Sequence, residues 1–162
     1  MVRQLIEDES QVQTTLNPAR QLLKYIKDSW TISNPSLANI FWDSYWTGKG
    51  LMTVYFKEDS TKPEPMVLGW GKWSYFSEIS IYLGAWYEKN GDYSTVITNA
   101  RNHIEELIHN DVRAMKTYGI SAMRIIDFIE NPDMPIEDEY RDDTCGLEIK
   151  VQLIASKTVQ EV

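Results

Sequence analysis

Two histidines, His103 and His109, are the first residues whose type could support chemistry, and they flank Ile104-Glu105-Glu106-Leu107-Ile108. A zinc-protease helix sets two histidines four residues apart on one face, with a glutamate between them as base. Here the separation is six residues. That is about 600° around a helix at roughly 100° per residue, so the rings point to different sides. His103 can share a face with Glu106, but a di-iron bundle needs Glu-x-x-His twice, on separate helices. The expectation is two surface or half-buried histidines and no metal helix.

Carboxylates are the second resource. Asp127, Glu130, Asp133, Glu137, Asp138, Glu139, Asp142 and Asp143 crowd the stretch before the last apolar run. Such density suits a divalent cation or an acid–base pair. The Asp-x-Asp-x-Asp-Gly order of a calcium loop is missing, however. The run reads instead as a solvated acidic edge that aids solubility or meets a basic partner, with Arg141 paired to a neighbour inside it. Cys145 is the single cysteine and cannot close an intramolecular disulfide. With no histidine near it in sequence, it reads as a structural thiol rather than a nucleophile. Gly48-x-Gly50 and Gly69-x-Gly71 lack the third glycine, the lysine and the following helix of a phosphate loop, and read as strand-end turns. No catalytic residue, metal ligand or cofactor is expected, and the chain reads as a non-enzyme.

Aromatic side chains are abundant: six Trp, nine Tyr and four Phe. The densest groups are Phe41, Trp42, Tyr45 and Trp46, then Trp70, Trp73, Tyr75 and Phe76. Two readings stay open, packing in a core or an exposed contact surface where Trp and Tyr carry binding energy. Stacking on single-stranded nucleic acid needs a basic groove as well. A net charge of -8, with Lys and Arg scattered, does not offer one. The candidate subunit or partner interface therefore comprises Trp42, Tyr45, Trp46, Trp70, Trp73 and Tyr75, with Tyr140, Arg141, Asp142 and Asp143 of the acidic link.

The elements that must position these groups follow from pattern. At 162 residues, 43% hydrophobic and 25% charged, the chain can bury one core without staples. Residues 1–16 are polar and acidic and read as an arm, either flexible or docked on a neighbour. Asn17 as N-cap and Pro18 at the first helical position start a helix whose Leu22, Leu23, Ile26 and Trp30 recur at helical spacing. Asn34-Pro35 breaks it or starts a short turn. Leu51 to Phe56 read as a strand, Lys57 to Pro65 as a charged loop, and residues 66–77 take no assignment. Glu78 to Ala85 form a strand with Ile79, Ile81 and Leu83 on one face. The longest helix runs from Tyr93 to Thr117 on a stripe of Val96, Ile97, Ala100, Ile104, Leu107, Ile108, Val112 and Met115, and Gly119 is its C-cap. Ile120 to Ile129 make a further strand, and Asn131 to Pro135 a rigid turn.

The closing strand has the clearest signal, since Leu147, Ile149, Val151 and Leu153 alternate with Glu148, Lys150 and Gln152. A polar tail starts at Ser156. The expected fold is α+β, one mixed or antiparallel sheet of four to five strands packed against one long helix and an N-terminal helix. The expected domain spans residues 17–155, between the arm and a tail of 156–162. The N-terminus lacks the apolar stretch of a signal peptide, and no run reaches the ~20 apolar residues of a membrane span. Use inside a cell or a particle is the expectation.

Tyr140-Arg141-Asp142-Asp143-Thr144-Cys145-Gly146-Leu147, leading into that alternating strand, resembles the end of tail terminator proteins of long-tailed viruses and prophages. The order of elements is similar too. An opening helix precedes an early strand (Met52-Thr53-Val54-Tyr55-Phe56) and a second strand (Ile79-Ser80-Ile81-Tyr82-Leu83), before one long helix and two final strands. By architecture the resemblance covers residues 17–155, and by motif residues 140–153. The arm before Asn17 and the aromatic insert at 66–77 have no counterpart in it. The resemblance implies a virion structural protein that forms a ring, usually a hexamer, at the head-proximal end of the tail. Such a ring ends tail-tube polymerisation and docks to the neck. Its partners would be its own copies, the tail tube protein and neck or connector proteins, with DNA passing through unbound and no membrane involved. It would reside in the virion, and in the host cytoplasm during assembly. An acidic subunit suits a channel through which DNA slides, and a closed ring uses heterologous contacts that aromatic loops could supply. Alternatives are a head–tail joining or neck protein of related fold, or an intracellular ligand-binding or adaptor domain with the aromatic cluster as its pocket. A metal enzyme built on the acidic run ranks last.

Overall fold

Pro18 can open a helix because its missing N–H belongs to the first turn, where no intrahelical partner exists. In the computed structural model, which describes residues 17–42, 52–63, 72–86, 93–110, 117–133 and 144–158, it does so. Helix α1 (Pro18–Asp28) is capped by Asn17, whose Oδ1 accepts the Arg20 N–H at 3.2 Å. The helix buries Gln21, Leu22, Tyr25 and Ile26 along one stripe. A short 3-10 turn (Leu37–Asn39) leads into β1 (Ile40–Trp42), followed by β2 (Met52–Pro63), β3 (Lys72–Trp86), α2 (Tyr93–His109), β4 (Ile120–Glu130) and β5 (Thr144–Thr158).

The strands form one five-stranded sheet in the order β1-β2-β3-β5-β4. β1 runs parallel to β2, and the other neighbours are antiparallel. The protein is thus α+β with one mixed sheet and two helices. β5 lies between β3 and β4, and it alternates because Leu147, Ile149, Val151 and Leu153 join the core while Glu148, Lys150 and Gln152 point to the other face. Registered rows cross the sheet on the helix side. One holds Val54, Leu83 and Leu147; the next holds Phe56, Ile81, Ile149 and Phe128. Leu22 and Ile26 of α1, with Val96, Ala100, Ile104 and Ile108 of α2, close over these rows in a single core cluster. Each fully buried aliphatic side chain there contributes roughly 1.5–3 kcal/mol by leaving water.

Several boundaries differ from the sequence reading. The charged segment Lys57 to Pro63 is strand rather than loop. It sits beyond β1 on the outer edge of β2, where charged side chains and a proline are tolerated because the ladder needs only one partner. A bulge between Glu58 and Ser60 accommodates Asp59, whose carboxylate accepts a hydrogen bond from the Ser80 hydroxyl. β3 begins at Lys72, inside the stretch left without assignment, because Lys72 to Ser77 pair with the end of β5. β5 itself continues to Thr158, past the expected start of a polar tail at Ser156, for the same reason. α2 is described to His109, so the expected run to Thr117 crosses residues 111–116, which lie outside the described residues.

The expected glycine has its reason: Gly119 takes φ 70° between the helical turn at Tyr118 and β4. β3 was expected to bury one face. From Ser80 to Trp86 it buries both, because Ser80, Tyr82, Gly84 and Trp86 are buried as well as the Ile79, Ile81 and Leu83 row.

Candidate assembly surface

His103 shows where the histidine reading fails. The ring is buried, 6% exposed, rather than at or near the surface. Its Nε2 accepts the Thr31 N–H at 3.1 Å, and the Trp30 ring stands edge-on at 4.8 Å. Accepting at Nε2 places the proton of the neutral ring on Nδ1. Burial pushes its pKa below the ordinary 6.5, against a smaller upward pull from Glu106. The ring clamps the segment after α1 onto α2. Asn99 adds a bond from its side-chain amide to the Asn34 carbonyl at 3.0 Å, and Trp30 donates to the Pro35 carbonyl at 3.0 Å. The clue was legible, since Val96, Ala100, His103 and Leu107 share one helical stripe. His109 is exposed. Among the described residues no three His, Cys, Asp or Glu side chains converge as metal ligands. No helix among them is long and apolar enough to cross a membrane.

A second buried polar group ties α1 to the turn before β4, and a tyrosine of α1 reaches the end of α2. Gln21 donates through Nε2 to the Tyr118 carbonyl at 2.8 Å, and its Oε1 accepts the Asn17 N–H at 3.2 Å. The Tyr25 hydroxyl lies 2.6 Å from the carbonyls of both Leu107 and Asn110, at the end of α2. Helix ends leave their last carbonyls without intrahelical donors, so Tyr25 acts as a cap supplied by another helix.

The sheet face opposite the helices is polar and largely paired within itself. Glu148 is only 7% exposed and meets Lys150 Nζ at 3.5 Å. Tyr82 lies beside it, with the Tyr55 ring 6.3 Å away. Burial raises the Tyr82 pKa above 10.0, helped by the charges of Glu148 and Asp59, so its hydroxyl stays protonated. Arg124 donates from Nε to Gln152 Oε1 at 2.9 Å on the same face.

The two edges of the sheet differ in character. The outer edge of β2 carries Lys57, Glu58, Asp59 and Lys62 and ends in Pro63. Among the described residues, nothing pairs with the outer edge of β4, and that strand reads Ile-Ser-Ala-Met-Arg-Ile-Ile-Asp-Phe-Ile-Glu. A bulge between Ile125 and Asp127 turns Ile126 outward to 38% exposure. Charge, proline and twist are the ordinary defences of an edge, and the β2 edge has all three. The β4 edge has the bulge and the charges of Arg124, Asp127 and Glu130 but no proline, with an aliphatic side chain in solvent at its centre.

An open cleft of about 420 Å³ lies where α2 meets the ends of β4 and β5, lined by Ser94, Thr98, Arg101, Phe128, Glu130 and Asn131 among others. The Arg101 guanidinium stacks on the Phe128 ring at 4.2 Å, so its charge lies at the wall. This arrangement can hold a small polar molecule.

Of the expected interface residues, Trp42 is half-buried in β1 and packs edge-on against Trp30 at 5.5 Å. Its Nε1 has no hydrogen-bond partner among the described residues. Tyr75 is half-buried in β3, in register with Pro63 and Ala155. Trp73 has its backbone in β3 opposite Lys157. Tyr45, Trp46, Trp70, Tyr140, Arg141, Asp142 and Asp143 lie outside the described residues, as do the glycine pairs and most of the acidic run. Of the ten candidates, Trp42, Trp73 and Tyr75 alone fall within the described residues, the first on β1 and the other two on β3. Compared with known proteins, the chain matches no protein-family model and no curated protein.

Proposed function

We propose that this chain is a structural assembly subunit of the tail-terminator type. It forms a ring of six copies at the head-proximal end of a virus or prophage tail, ends tail-tube polymerisation there and docks to the neck. The observation that supports this reading most is the order of elements. α1, β2, β3, α2, β4 and β5 follow one another as opening helix, two strands, helix and two closing strands. That order is the architecture the resemblance implies. The net charge of -8 adds to it, because an acidic lumen lets DNA slide where a basic one would hold the phosphates. A neck or head–tail joining subunit of related fold is the nearest alternative.

The cleft beside Arg101 favours a second reading, a domain that binds a small polar ligand, and this reading keeps the chain monomeric. The test of the first is to mix the purified chain with the tail tube protein encoded near its gene and image the tubes by negative stain. Ring density at one end of tubes that no longer elongate is the expected result. Tubes that elongate unchanged and carry no cap overturn the proposal.

A further inference from the structure

The edge of β4 matches itself. In an antiparallel pairing of two copies of this strand about a two-fold axis between Ile125 and Ile126, Arg124 of each copy falls opposite Asp127 of the other. Met123 then meets Phe128, and Ala122 meets Ile129. Side-chain faces agree at each of these positions, and the bulge is the reason. Arg124 and Asp127 are three residues apart, which in a regular strand puts them on opposite faces. Here the extra residue between Ile125 and Asp127 brings both to the face away from the helices, in register with Gln152 and Lys150. Met123 and Phe128 both stay on the helix side, in register with Leu153 and Ile149, and Ala122 and Ile129 both face away, opposite Ile154 and Glu148. Both copies carry the extra residue at the same place, so the two bulges oppose each other and the register holds on either side.

The charges are poised for the same match. Arg124 spends Nε on Gln152 at 2.9 Å, which orients the guanidinium and leaves its two terminal nitrogens to donate. Asp127 accepts the Phe128 N–H on Oδ1 at 2.8 Å and leaves Oδ2 to accept. Opposite charges directly across a strand pair favour that register, and like charges oppose it. Ile126, exposed in the single copy, faces Ile125 of its mate and leaves water.

We propose that β4 is a self-association edge, through which two copies of this chain join their sheets antiparallel across a two-fold axis. The inference does not rest on the ring reading. A two-fold contact closes after two copies, so it pairs free subunits or two stacked rings and cannot propagate around one ring.

Sedimentation velocity of the full chain over a concentration series tests it, with circular dichroism as the check on folding. The wild-type chain should populate even-copy species. Arg124→Asp sets carboxylate against carboxylate at both contacts, and Asp127→Arg sets guanidinium against guanidinium, so each should raise the pairing Kd at least about tenfold. The double variant Arg124→Asp with Asp127→Arg restores opposite charges in exchanged positions and should return the Kd to within about threefold of wild type. Ile126→Lys should abolish pairing with the fold retained. Folded single variants that pair as wild type, a double variant no better than the singles, or a wild-type chain with no even-copy species would each overturn the proposal.

Discussion

Replacing Tyr25 by phenylalanine removes one oxygen from the junction of the two helices and leaves the packing of the ring unchanged. The hydroxyl serves the carbonyls of Leu107 and Asn110, each 2.6 Å away, with a single proton shared between them. Losing a hydrogen bond of this kind costs about 1 kcal/mol net, and an acceptor left buried without a donor costs about 1–3 kcal/mol. Asn110 is exposed, so its carbonyl can turn to water, whereas Leu107 is half-buried and its carbonyl cannot do so freely. The penalty for Tyr25→Phe is therefore about 2 kcal/mol. In a protein of this length, roughly 1 kcal/mol corresponds to 2–4 °C, so the melting temperature should fall by about 4–8 °C. Urea unfolding followed by tryptophan fluorescence gives the free energy, and a thermal scan gives the temperature. Tyr118→Phe is the control, because that hydroxyl donates to Asp28 Oδ2 at 2.7 Å in an exposed site and should cost about 0.5 kcal/mol or less. A Tyr25→Phe variant within about 0.5 kcal/mol of wild type would refute the capping argument. So would a control that loses as much.

Three other outcomes follow from the same packing. His103 has a folded pKa below 6.5, so its contribution is complete above pH 6.5 and is lost as pH falls from 6.5 through the folded value, because the unfolded chain takes up the proton first. Urea midpoints measured between pH 8 and pH 5 should fall with acidity by more in wild type than in His103→Asn, and equal slopes would contradict the burial. Ile104→Ala opens a cavity at a fully buried position under α2 and should cost about 2–5 kcal/mol by urea unfolding, with a loss under about 1 kcal/mol arguing against the helix face assigned here. Gly119→Ala places a Cβ at φ 70° and should cost about 1–2 kcal/mol, read as a shift in urea midpoint at constant slope; an unchanged midpoint would mean the turn adopts another conformation.

Much of the fold was legible because its signals are local. Asn17-Pro18 marks a helix start by cap chemistry alone, and the alternation from Leu147 to Leu153 identifies a strand without reference to its neighbours. Helix α2 announces itself by the spacing of Val96, Ala100, Ile104 and Ile108. What stayed hidden depends on partners distant in sequence. Lys57 to Pro63 has the composition of a loop and becomes strand only because β3 supplies the ladder. Lys72 to Ser77 is strand because β5 extends to Thr158. Burial of Tyr82 and Trp86 on the second face of β3 likewise leaves no mark on an alternating pattern that already explains Ile79, Ile81 and Leu83.

The candidate surface was less legible than the fold. Aromatic density pointed to Trp42, which the structure packs against Trp30. The edge of β4 attracts no notice in sequence, because a bulge is needed before Arg124 and Asp127 share a face. His103 is a different case: its spacing to His109 speaks only to metal binding, whereas its burial follows from its place on the apolar stripe of α2.

The central claim is that the chain works as a ring subunit, and native mass spectrometry of the full chain across a concentration series tests it most directly. A discrete closed species of six copies, or a stacked pair of such rings, growing with concentration and visible as rings by negative stain, is the expected result. A chain that never exceeds two copies at any concentration would contradict the ring, while leaving the β4 pairing to stand or fall on its own charge exchange.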